Sequence, residues 1–325
     1  MTVVDFHNHY YPPEYIKQLK GGQSEITVTF DAEENPVLHS PGDANIVVPG
    51  HRDIDFREQV LDASGIDMQV LTLTTPGTLI EMPERGVQLA QIVNDALAKI
   101  VSDRGNRFTA LATLPLTDPG ASLREFERVV QLGFPGCMLF GNVNGVPLAD
   151  ERFWPLYERA SDAKTVMFIH PTYPVDVESM TDYWLMPLVG FLFDTTLAAA
   201  HLVYSGVVER FPGIRWVLGH LGGAIPYLAE RLDRGYYAFA DCRQHISKPP
   251  TEYLKEFYYD TVNFDVSALQ LALDFAGPEH IVAGSDYPHQ IGSLERMLQS
   301  IEQLEISVVQ KTGILGANAV RLLGL

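Results

Sequence analysis

Five side chains able to do acid–base or metal chemistry stand where short apolar runs end. His7 and His9 close the first run, within VVDFHNH. His170 closes TVMFIH, His220 closes RWVLGH, and Asp286 follows IVAGS. Side chains alternate along a strand, so His7 and His9 point the same way and can present two imidazoles to one point. Imidazole nitrogens are good ligands for zinc and similar divalent ions, and a carboxylate completes such a site. The natural ligand set is His7, His9, His170 and Asp286, with a water in the open position. Taken singly, each has a plainer reading: a strand-end histidine is often a satisfied polar residue, and a lone aspartate a turn or cap. Jointly, they have no packing purpose. His220 is a further ligand or a base free of the metal. The run GCMLF at 136–140 has no Lys, Asp or Glu that could bridge two ions. One ion is therefore expected, leaving His220 as the general acid/base.

These residues need a scaffold that gathers strand ends. The strand candidates are 2–7, 69–74, 108–114, 136–140, 165–170, 215–220, 257–262 and 281–285. Stretches of helical period lie between most of them, at 84–104, 120–133, 151–163, 224–239, 265–276 and 293–304. Near-continuous apolar strands indicate a parallel sheet buried on both faces. Eight of them alternating with helices indicate an α/β fold, a (β/α)₈ TIM barrel, whose C-terminal strand ends converge on one face. The doubly wound open sheet is the competing fold, but HNHYYPP after the first strand cannot make a phosphate-binding glycine turn. Residues 1–325 are expected to form a single domain. Within it, residues 21–53 carry Gly, Pro, Asp, Asn and a short alternating piece, EITVTFD, expected to form a small β-rich insertion after strand 1.

The chain has 325 residues, with 23 basic against 41 acidic and a net charge of −18. That balance, with no basic stripe, argues against a nucleic-acid partner. Hydrophobic residues at 46% and charged residues at 20% fit a globular chain rather than a disordered one. No uncharged apolar stretch of about 18 residues suggests a membrane span, and the run around 185–208 contains Asp194 and His201 and reads as a buried helix. Two cysteines, Cys137 and Cys242, form no disulfide framework. Together with an N-terminus unlike a secretory signal, they give the expectation of a cytoplasmic protein.

The HNH of strand 1, the His-Pro at 170–171, GHLGG at 219–223 and GSDYPH at 284–289 resemble the amidohydrolase superfamily. Within it, the chain is most similar to the aminocarboxymuconate-semialdehyde decarboxylase family of metal-dependent, non-oxidative decarboxylases. DASGIDMQVLT at 62–72 and the stretch 184–212 extend the resemblance over nearly the whole chain. The resemblance implies a barrel, a homodimer and one divalent ion per subunit, zinc first with manganese as the alternative. It places the ligands on His7, His9, His170 and Asp286, and the catalytic histidine on His220. It also implies that Arg231 holds a substrate carboxylate, reaching into the neighbouring subunit's site, and that Trp184 lines the pocket. The family's second substrate arginine has no clear equivalent, although His51 or Arg52 could stand in for it. His289, three residues after Asp286, could support the metal from behind.

The resulting expectation is decarboxylation of an aromatic or unsaturated carboxylic acid by protonation of the carboxyl-bearing carbon, with His220 and Asp286 moving the proton. Tyr10, Phe140, Trp184 and Phe191 are candidate walls for the substrate. Two alternatives use the same groups: a hydrolase such as a lactonase or amidase, and a hydratase of a conjugated acid. A third is a binding module whose metal is structural, with four protein ligands and no open position.

Overall fold

The computed structural model describes residues 2–325 except 24, 25, 41, 42, 80 and 175. Glu25, the first residue of EITVTFD, therefore lies outside the described residues. Strand β1 (Val4–His9) is followed by an antiparallel sheet of β2 (Thr27–Phe30), β3 (Pro36–Ser40) and β4 (Asp43–Ile46). The chain then forms β5 (Met68–Thr72), β6 (Phe108–Ala110), β7 (Ala112–Thr113) and β8 (Gly136–Phe140). After a small hairpin, β9 (Asn142–Val143) and β10 (Val146–Pro147), come β11 (Val166–His170), β12 (Arg215–Leu218) and β13 (Tyr258–Tyr259).

The strands fall into two parallel sheets, β1-β5-β6 and β13-β12-β11-β8-β7. Their residues are buried almost throughout, the pattern of parallel strands covered on both faces. Helices follow the strands: Pro83–Arg104 after β5, Pro119–Gln131 after β7, Trp154–Asp162 after β10, Phe191–Tyr204 after β11, and Ile225–Ala238 after β12. Aspartate caps start several of them. Asp53 accepts from the amides of Asp55 and Phe56, Asp118 from Ala121, and Asp265 from Ser267 and Ala268.

Several sequence expectations differ in extent; the strand expected over 108–114 is broken at Leu111 into β6 and β7, which pair in different sheets. The strand expected over 215–220 stops at Leu218, because the amides of His220 and Leu221 turn away to the Asp260 carboxylate. The strand expected over 257–262 is only the two residues of β13. The piece 281–285 is not a regular strand, although it lies between β13 and β1. There Val282 N donates to Tyr259 O and Phe6 N to Ala283 O. Beyond these the bonding is mixed: Ser285 N and Asp286 N donate to His7 O, while Ser285 N and Oγ also go to Asp5 and Gly284 N goes to Thr261 Oγ1.

Segment 182–204 is long and apolar enough by composition to cross a membrane. Here it is bent, with Tyr183 and Trp184 in the left-handed region, and tied to the core. Asp194, buried on its inner face, accepts from Asn142 Nδ2 at 2.8 Å and Thr172 N at 2.9 Å.

Candidate metal centre and its cavity

β1 delivers His7 and His9 to one point. Their Nε2 atoms stand 3.1 Å apart, and both face Asp286 Oδ1, at 3.4 Å from His7 and 3.1 Å from His9. His170 comes from the end of β11, its ring centroid 4.7 Å from that of His9 and 5.2 Å from that of His7. His220 approaches from the other side, its Nε2 3.8 Å from Asp286 Oδ2. The structure thus brings together His7, His9, His170, His220 and Asp286, all of them buried. One ligand atom each from His7, His170, His220 and Asp286 lie within 4.8 Å of one another, and so do those of His9, Asp286 and His289.

The partners of the outer ring nitrogens fix the tautomers. His7 Nδ1 is held by the Asp260 carboxylate. His170 Nδ1 donates to the Pro171 carbonyl at 2.8 Å. Thr72 Oγ1 donates to the Asn8 carbonyl at 2.7 Å, so it accepts from His9 Nδ1 at 3.0 Å. Each imidazole then carries its proton on Nδ1 and turns a bare Nε2 lone pair inward. Nε2 of His170 is buried and has no hydrogen-bond partner. These groups could hold a divalent ion, for which imidazoles with one carboxylate are a suitable donor set.

For His9 and His170 the electrostatics agree with this assignment. Burial holds His9 and His170 well below the usual imidazole range, which keeps them neutral. Burial also opposes charge on His7, but Asp260, with Asp286 and Asp5 behind it, raises its pKa on balance. Burial alone would raise the Asp286 carboxyl, yet His220, His9 and His289 hold it well below the carboxylate range.

Asp260 is the functional group that sequence reasoning missed. It is fully buried at the end of β13. It orients His7 while accepting His220 N at 2.9 Å, Leu221 N at 2.8 Å and Val262 N at 3.0 Å. Those bonds hold His220 and Leu221 at φ of 52° and 56°, where side chains are disfavoured. The available signal was an aspartate inside the apolar run FYYDTV. Arg57, also fully buried, was likewise unforeseen. It donates to Asn8 Oδ1, Gln69 Oε1 and the carbonyls of His9 and Gly50, tying the end of β1 to the short helix Pro49–Arg52.

A cavity of about 600 Å³ opens over the cluster and reaches His170, His220, Asp286 and His289. Trp184 and Phe191 line it, as the sequence led one to expect, and Trp184 is 58% exposed at its mouth. Tyr10 and Phe140 do not line it. Tyr10 is buried with its hydroxyl on the Arg52 carbonyl, and Phe140 packs behind His170. The His289 ring lies 4.9 Å from the His9 ring and 5.0 Å from the His51 ring. Arg231 is on the exposed face of Ile225–Ala238, outside the cavity lining, and makes no ion pair among the described residues. Its neighbours are engaged elsewhere, Glu230 with Arg234 and Asp233 with Thr251.

A family model described as Amidohydrolase matches residues 4–325. The 2-amino-3-carboxymuconate-6-semialdehyde decarboxylase of Dictyostelium discoideum is 34% identical over 278 residues, covering 84% of this chain and 77% of that protein. Among solved structures, 5-carboxyvanillate decarboxylase from Sphingomonas paucimobilis superposes with a TM-score of 0.87 at 26% identity, covering 100% of this chain and 99% of that one. A dihydroxybenzoic acid decarboxylase from Polaromonas, with bound manganese and the inhibitor 2-nitroresorcinol, gives a TM-score of 0.85 at 25% identity, covering 100% and 97%. Amidohydrolases of this kind imply a TIM-barrel fold, which agrees with the parallel sheets.

Proposed function

The chain belongs to the amidohydrolase family, in the branch that holds the aminocarboxymuconate-semialdehyde decarboxylases, and on that premise we propose that it is a metal-dependent, non-oxidative decarboxylase of an aromatic or unsaturated carboxylic acid. The observation that carries the reading is the donor-free convergence of His7, His9 and His170 Nε2 on Asp286 under a cavity. Those four residues would hold one divalent ion, which when bound supplies positive charge to anchor the acid's oxygens. The two-histidine β1 suits zinc, and the manganese of the Polaromonas relative makes manganese the alternative.

The two carboxylate oxygens of Asp286 support separate roles for its neighbours. Oδ1 faces His7 and His9, whereas Oδ2 faces His220. This division supports a reading in which His220, on the second oxygen, acts as the acid/base and not as a ligand. His220 gives a proton to the carbon that bears the carboxylate, and a π pair of the substrate forms the new C–H bond. The C–C bond to the carboxylate then breaks, its pair restores the π system, and CO₂ leaves. Asp286 Oδ2 stabilises the His220 imidazolium before the transfer, and solvent returns the proton afterwards. Trp184, Phe191 and Ile291 give the cavity apolar lining, which favours loss of charge as CO₂ forms.

The finer architecture belongs to the same proposal. The bonds of 281–287 to both β13 and β1 support one closed eight-stranded ring, with the β2–β4 sheet as an insertion over one end. A homodimer is supported by an exposed apolar face shared by Phe191–Tyr204 and Ile225–Ala238, where Phe193, Leu197 and Tyr227 stand out and Arg231 follows one helical turn after Tyr227. From that face Arg231 would reach a neighbouring site. The unpaired Cys137 and Cys242 support a reducing, cytoplasmic setting.

The test is elemental analysis of the purified protein combined with a CO₂-release screen over hydroxybenzoates, pyrimidine carboxylates and muconate derivatives. Metal-dependent CO₂ release supports the reading. Net uptake of water without CO₂ would replace it with a hydratase or hydrolase.

A further inference from the structure

The three imidazoles of the cluster differ in what stands behind them. His7 Nδ1 is backed by the Asp260 carboxylate, and His9 Nδ1 by the Thr72 hydroxyl. His170 Nδ1 has only the carbonyl of the next residue, Pro171, at 2.8 Å. That carbonyl is one half of a trans peptide group whose other half is the Thr172 N–H. The N–H donates to Asp194 Oδ2 at 2.9 Å. In a planar trans peptide, C=O and N–H point in opposite directions. A carboxylate therefore stands behind His170 as one does behind His7, with a single peptide group between.

The surroundings are shaped around that carboxylate. Asp194 is 6% exposed, on the inner face of Phe191–Tyr204, and both of its oxygens are used. Oδ1 accepts from Asn142 Nδ2 at 2.8 Å, and the same Asn142 amide donates to the Tyr173 carbonyl at 3.0 Å. No cation pairs with Asp194 among the described residues; its partners are two neutral amides. A buried carboxylate without a counter-ion is costly, and packing a helix does not require one. The backbone makes room for it: a Cβ added at Gly141 would collide with Asp194 Oδ2 and lie 2.8 Å from its Cγ. Gly141 N in turn donates to the His170 carbonyl at 2.9 Å.

Negative charge on the N–H side of a peptide draws electron density toward its C=O side. The Pro171 oxygen becomes a stronger acceptor for His170 Nδ1–H, and the Nε2 lone pair becomes more basic. The same two bonds fix the plane of the peptide and with it the rotation of the ring. We propose that Asp194 is a positioning residue for the metal centre, orienting His170 and strengthening it as a ligand through the Pro171–Thr172 peptide. This rests on the reading of His170 as a metal ligand. It also ties the helix that carries Phe191, a residue of the cavity wall, to the ion's own ligand.

The experiment has two readings, both taken at about pH 8, above the value of about 6 to which burial pushes Asp194. One is manganese affinity of the full chain by competition against a chelator. The other is the His170 Nδ1–H proton resonance of the zinc-loaded, ¹⁵N-histidine-labelled protein. His170→Ala identifies that resonance by its disappearance and should weaken manganese binding; unchanged affinity would remove the metal-site reading itself. Asp194→Asn keeps the shape of the side chain but offers one neutral oxygen to two donors. Loss of a direct outer partner costs a metal site about 10- to 100-fold, so with one peptide between, Asp194→Asn should bind manganese at least about threefold more weakly. The His170 resonance should move upfield. Gly141→Ala, which keeps the charge and pushes it off Thr172 N, should move both readings the same way, and it decides the matter if Asp194→Asn does not fold. A purely structural Asp194 would alter the melting temperature of the metal-free protein and leave both readings in place. A smaller loss of affinity, or an unmoved resonance, would overturn the proposal.

Discussion

Replacing Asp260 by asparagine changes one atom of a group that serves four donors. Oδ1 accepts from the amides of Leu221 and Val262, and an asparagine oxygen can keep both. Oδ2 accepts from His7 Nδ1 and from His220 N at 2.9 Å, and an NH₂ in its place confronts two donors with a third. His7 escapes only by moving its proton to Nε2, which caps the lone pair aimed at His9 and Asp286. Loss of such a supporting bond costs a metal site about 10- to 100-fold in affinity. At 1.36 kcal/mol per decade that is about 1.4–2.7 kcal/mol. The second effect is on the turn. His220 and Leu221 are both left-handed, at about 1–2 kcal/mol each, and a charged acceptor contributes about 1.5–3 kcal/mol per bond toward holding them. Asp260→Asn should therefore lose turnover even when metal is saturating. The assays are manganese competition against a chelator, kcat at saturating manganese, and thermal melting to establish that the variant folds. A folded variant with metal affinity within twofold of wild type and unchanged kcat would refute the reasoning.

Other variants probe the remaining roles. His220→Ala should keep metal content near that of wild type while activity falls at least about 100-fold, as for an acid/base group; loss of metal would make His220 a ligand. Arg231→Ala should raise KM for the acid, and mixing it with His220→Ala should restore part of the activity in heterodimers if the arginine acts across subunits. Asp194, pushed by burial to about 6, binds its proton more readily folded than unfolded. It therefore subtracts stability as pH rises from about 4 to 6. The melting temperature of Asp194→Asn relative to wild type should climb over that window and then level off, and a flat difference would remove the assignment.

The site was legible in sequence to the extent that spacing encodes direction. The i, i+2 pair His7 and His9, and histidines or an aspartate ending apolar runs, needed only strand periodicity and convergent strand ends. Arg231 was identifiable as a residue but not as an exposed one, since the face a helix presents depends on what packs against it. Asp260 and Arg57 go unread, and His51 is named there only as a stand-in for an arginine. An aspartate in an apolar run is also what a turn looks like, and burial of His51 follows from where the β2–β4 segment and the helix Pro49–Arg52 come to rest. The missing eighth strand has a similar cause. Its backbone groups are partly satisfied by Asp5 and Thr261 side chains, a long-range arrangement that hydrophobic period does not report.

The central claim is that one divalent ion sits where the bare Nε2 atoms of His7, His9 and His170 meet Asp286. Anomalous diffraction from crystals of the manganese-loaded protein locates that ion directly. A single peak within bonding distance of all four side chains, with His220 Nε2 beyond bonding reach, is the result the account predicts. A peak between His9, Asp286 and His289, or one bound by His220, would contradict it.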